Sequence, residues 1–68
     1  MIVRFIDVES GTEVSRVELD GDVPRYSGGE TARGVVEQLM RTDGLTAAAA
    51  VARLAADGWS NGYIRVAL

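Results

Sequence analysis

Two segments with helical spacing each end on the same signal, an Asp-Gly pair followed by an apolar residue: Asp43-Gly44-Leu45 and Asp57-Gly58-Trp59. A glycine just past a helix can take a left-handed conformation, and the apolar residue after it packs back on the last turn. The repeat therefore places two short helices back to back in a chain of only 68 residues. Upstream of the first stop, Val35, Val36, Leu39 and Met40 recur at helical intervals while Arg33, Glu37 and Arg41 point away, so a helix is predicted over 32–43. Thr31 is its expected N-cap, with Ser27 the alternative one turn earlier. Thr46 caps a second helix over 47–57, seven of whose first ten residues are Ala.

The flanks of this helical pair read as strands. Residues 1–9 and 13–20 alternate, with Val3, Phe5, Val17 and Leu19 on one face and Arg4, Arg16 and Glu18 on the other, as a two-residue period requires. Glu9-Ser10-Gly11-Thr12 joins them as a hairpin. A three-residue loop ending at Gly11 keeps the odd-numbered residues together on the core face, and it is preferred to a two-residue Ser10-Gly11 turn. The stretch from Asp20 to Glu30 carries Gly and Pro punctuation throughout and is read as a long loop. Gly62 to Leu68 alternates again, with Ile64, Val66 and Leu68 inward, and forms a third strand.

The expected fold is thus α+β: one domain over 1–68, a two-layer ββααβ sandwich with a hairpin and a C-terminal strand under two helices. Strand order 2-1-3 follows, the last strand lying beside the first and parallel to it through a right-handed crossover. In topology alone this layout is similar to a reduced β-grasp.

Composition bears on function mainly by exclusion. The chain has no Cys and no His, so neither disulfides nor the common transition-metal ligands can staple so small a core. It also has no Lys. Proton transfer near neutral pH, a thiol nucleophile and Schiff-base chemistry all lack their residues, and a non-catalytic protein is expected, with no cofactor and no metal. Seven basic residues against ten acidic ones leave a net charge of −3, which argues against a general nucleic-acid binder. No apolar run reaches the length of a membrane span, the N-terminus reads as a strand rather than an export signal, and the cytoplasm is the expected compartment.

Three constellations bear on binding. Glu18, Asp20 and Asp22 cluster their carboxylates as a hard cation would want, but without the spacing of a calcium loop. Ser27-Gly28-Gly29-Glu30-Thr31 precedes a helix N-terminus, an anion-binding position, with Glu30 opposing it. The two helices before a Gly-Trp and a strand evoke a winged helix-turn-helix, yet Arg53 is the only polar side chain among the first ten residues of the second helix, too little for reading bases. What remains is a protein-interaction or adaptor module acting on a protein partner or on itself, with a homodimer expected. Nucleic-acid binding and small-anion binding stand as alternatives. Tyr and Arg are the residue types that dominate binding hot spots, and Arg25, Tyr26, Tyr63 and Arg65 are the candidate contact residues.

Overall fold

A computed structural model describes residues 1–68. Its elements run β1 (Ile2–Asp7), β2 (Glu13–Asp20), β3 (Val23–Gly28), α1 (Thr31–Asp43), α2 (Ala47–Asp57) and β4 (Ile64–Ala67). The strands form one antiparallel sheet of order β3-β2-β1-β4, and both helices pack on one of its faces. The α+β class and both helices are as expected. The strand count and the direction of the last strand are not.

The correction starts at residues 20–30, which are not a loop. Asp20 pairs with Val23 across a tight turn, and Val23–Gly28 runs back along β2 through Ser15↔Gly28. Pro24 is tolerated because β3 is an edge strand. Leu19 donates its N–H to the Met1 carbonyl on the β1 side (2.9 Å), so its partner Pro24 sits at a non-hydrogen-bonded position, and its ring nitrogen faces away from the sheet. This additional strand reverses the chain. The helical pair is entered from the opposite end of the sheet, and β4 returns antiparallel to β1, with Arg4↔Ala67 and Ile6↔Arg65. The parallel crossover and the β-grasp-like layout are therefore ruled out.

The expected core face forms, but not through a three-residue loop: Asp7 donates its N–H to the Thr12 carbonyl and accepts from Gly11 (both 2.8 Å), leaving a four-residue Val8–Gly11 loop, and a bulge restores the odd-numbered register. Val3 faces Val17 and Phe5 faces Ser15, with the extra residue Val14 bulged opposite the Phe5/Ile6 step. Val3, Phe5 and Val17 are fully buried and meet Ala32, Val35 and Val36 of α1 and Ala50, Val51 and Leu54 of α2. Alanine at position 50 lets α2 lie close to the sheet. Trp59, just past α2, stacks edge-on against Phe5 with ring centroids 5.9 Å apart, a favoured aromatic geometry.

The helix ends differ from expectation in two details. Gly44 is left-handed (φ 66°, ψ 33°), but Gly58 combines φ 77° with ψ 177°, so the second stop leaves the helix in an extended path rather than repeating the first. At the start of α1, neither Thr31 nor Ser27 is the cap. The N-cap position falls on Glu30, which makes no side-chain capping bond. The capping hydroxyl comes from β2: Ser15 Oγ accepts the Ala32 N–H (3.1 Å) and reaches the carbonyls of Gly29 (2.8 Å) and Ser27 (3.2 Å). Ser15 is the only buried polar residue. Gly28 lies against the same bulge, where a Cβ would meet the Val14 carbonyl at 2.8 Å.

Candidate functional site

With both helices on one face, the other face of the sheet carries no helix, and its own side chains bury Ile6 there (3% exposed). Pairing fixes what it carries. Arg4 stands opposite Arg16 on β2 and opposite Ala67 on β4. Arg16 stands opposite Ser27, Glu18 opposite both Ile2 and Arg25, and Ile6 opposite both Glu13 and Arg65. Arg25, Arg16, Arg4 and Arg65 thus form a diagonal band that crosses all four strands, about 14 Å wide at ordinary strand spacing.

This band holds four of the seven arginines, set among three of the ten acids, Glu13, Glu18 and Asp20. The face is therefore net +1 (four against three), while the rest of the chain carries −4 (three against seven). Four of the six exposed large apolar residues, Ile2, Val8, Val23 and Tyr63, belong to the same side. Val8 continues the β1–β4 ladder by donating its N–H to the Tyr63 carbonyl (2.9 Å).

The arginines are not equally engaged. Arg16 donates to both carboxylate oxygens of Glu13 (2.8 and 2.9 Å), and this contact, more than the charges of Arg16 and Arg4, holds the Glu13 carboxyl below the usual range. The same contact raises Arg16. Arg25 donates to Asp20 (2.9 Å). Arg4 lies 4.0 Å from Glu13 and donates weakly to the Leu68 carbonyl (3.4 Å). Arg65 enters no ion pair. Arg4 and Arg65 are diagonal neighbours across β1 and β4, a relation that puts Cα atoms about 7–8 Å apart. The small Ala67 lies between them.

The four sequence-derived contact residues divide accordingly. Arg25, Tyr63 and Arg65 share the open face. Tyr26 does not: it follows Arg25 on a strand, not in a loop, so its ring turns to the helical side, packs on the core and lies under the Arg33 guanidinium at 4.6 Å. Burial is the main cause of its raised pKa; Glu37 raises it too, and Arg33 opposes both. Sequence reasoning placed Arg4 and Arg16 outward but missed them as site residues. Their signal was that they fall opposite each other in the hairpin register.

The other constellations take different forms. Asp20 is tied to Arg25 at the β2–β3 turn, and no group of three or more acidic side chains is placed to hold a metal ion. At the start of α1, the Ala32 N–H that an anion would use is taken by Ser15. No pocket opens anywhere on the surface, and no helix is long and apolar enough to cross a membrane.

The two sheet edges differ. β4 is flanked by its own preceding segment, through Val66 N–H to the Trp59 carbonyl (3.0 Å) and a Ser60↔Arg65 bridge. β3 presents Pro24 outward, which blunts strand addition. Compared with protein-family models, with curated proteins and with solved structures, the chain matches none.

Proposed function

We propose that this protein is a small, non-catalytic interaction module that binds a protein partner, or a second copy of itself, through the open face of its sheet. One observation carries the reading: the uncovered face gathers four arginines, the exposed Tyr63 and three exposed aliphatic side chains onto one surface. Arginine and tyrosine make the strongest interface contacts, and an apolar surround excludes water from them. A partner on this face needs no strand addition.

A protein suits the face better than a nucleic acid does. Glu13, Glu18 and Asp20 lie among the arginines, where a phosphate backbone would meet like charge, whereas a protein surface can answer both signs and the apolar positions.

The test is capture of partners from nuclease-treated host lysate by the wild type, by Tyr63→Ala and by Arg41→Ala, the last an exposed position on α1. A near-stoichiometric protein lost only with Tyr63→Ala is the expected result. A partner retained by Tyr63→Ala, or one that disappears with nuclease in the wild type, overturns the reading.

A further inference from the structure

Resting on the open-face reading, we infer that the partner presents an acidic segment, one of whose carboxylates seats between the guanidiniums of Arg4 and Arg65. Three observations point to this chemistry. Arg4 and Arg16 stand directly opposite one another, a like-charge pairing that costs stability on a sheet surface. Glu13 relieves it unevenly, holding Arg16 in two short hydrogen bonds and leaving Arg4 at 4.0 Å. Arg65, diagonal to Arg4, has no acidic partner. Arg4, held only by the long Glu13 contact and the 3.4 Å Leu68 bond, and the unpaired Arg65 thus flank the small Ala67 and the buried Ile6, with exposed Tyr63 and Val8 at one end and Ile2 at the other. A guanidinium holds a carboxylate through two parallel N–H donors. A carboxylate with apolar neighbours is the complement of the Arg4–Arg65 corner, with Glu18 and Asp20 farther off on β2.

A second copy is a poor occupant of the same face. A two-fold contact is self-complementary. A two-fold axis passing through the band sets Arg4 or Arg16 against the same residue of the copy. Docking the band instead on the acidic remainder of another copy is a head-to-tail contact, which builds a ring or an open chain rather than a two-fold dimer. The occupant is therefore a different, acidic protein segment.

The probe is a blocked hexapeptide alternating Glu and Leu, titrated into the labelled protein while the arginine Nε–H resonances are followed. Its Gln-Leu counterpart and a ten-nucleotide oligo-dT serve as comparisons. The Glu peptide is expected to shift Arg4 and Arg65 and to weaken about twofold to fivefold in Arg65→Gln, the size of one exposed charge pair. Arg41→Gln leaves binding unchanged. Equal response to the Gln peptide, stronger response to oligo-dT, or no response at all overturns the inference. A partner captured from lysate that still depends on Tyr63 while the Glu peptide fails would refute the acidic chemistry and leave the open-face reading standing.

Discussion

Replacing Ser15 by alanine removes one oxygen from the structure and the only side-chain group that caps α1. Ser15 is 1% exposed, and Ala32, whose N–H it receives, is fully buried. With both residues buried, the N–H keeps an unmet donor, and the Gly29 carbonyl loses its 2.8 Å partner as well. Leaving a buried polar group unsatisfied costs about 1–3 kcal/mol. A domain of this length has a total stability of roughly 3–10 kcal/mol, so the change consumes a large share of it. The midpoint of thermal unfolding should fall by about 4–8 °C per kcal/mol. In urea, with a slope near 1 kcal/mol/M for so small a protein, the midpoint should fall by about 1–3 M. Trp59, stacked on Phe5, reports the core by fluorescence, and circular dichroism reports the helices; the two curves should coincide. Ser27→Ala is the control, since Ser27 contributes only a backbone carbonyl to the network, and it should stay within about 0.5 kcal/mol of the wild type. A Ser15→Ala protein that unfolds within that same margin would refute the cross-element cap.

Three further outcomes are expected. Gly28→Ala should cost about 2 kcal/mol or more, adding a backbone clash to the left-handed penalty. Gly21→Ala, with a positive φ but open space, should lose the conformational term alone; thermal melts that rank the two equally would contradict this. The Asp7 carboxyl is lowered by the backbone N–H groups of Ser10 and then Glu9, and Glu13 is lowered chiefly by Arg16. Both carboxyls bind protons more weakly folded than unfolded, so their stabilisation is present above the ordinary carboxylate range and is lost as pH falls through their lowered values, below about pH 4. Melts from pH 2 to 6 should show this loss, and Asp7→Asn with Glu13→Gln should flatten it; an unchanged slope would count against both contacts. Phe5→Ala empties the centre of the core, a change worth about 3–5 kcal/mol, and should leave the chain largely unfolded at 37 °C, which a flat urea curve would reveal and a normal cooperative transition would deny.

Where local chemistry dictates local structure, these residues could be read directly. Asp-Gly-apolar stops and the Thr46 cap mark both helices, and the alternation of Val3, Phe5, Val17 and Leu19 marks the hairpin and its core face. β3 was hidden by Pro24 and by Gly28-Gly29, residues that break a central strand but are accommodated on an edge and at a strand-to-helix junction. Missing one strand reverses the direction of everything that follows, which is why β4 was expected parallel. The Ser15 cap is a contact between residues seventeen apart in sequence, and a lone serine in a strand carries no sign of it. Of the candidate site, Arg25, Tyr63 and Arg65 were legible as exposed residues of the right type. Their convergence with Arg4 and Arg16 on one face is a product of register, and Tyr26 changed sides because a loop has no alternating faces while a strand does.

The central claim is that binding takes place on the open sheet face and not on the helical side. It is tested most directly by placing the photo-crosslinker p-benzoylphenylalanine at position 63 on one face and, separately, at position 52 on the exposed side of α2, in the native host. The account predicts a discrete crosslinked protein from Tyr63→p-benzoylphenylalanine and none from the α2 position. A discrete adduct from Ala52→p-benzoylphenylalanine alone would contradict it.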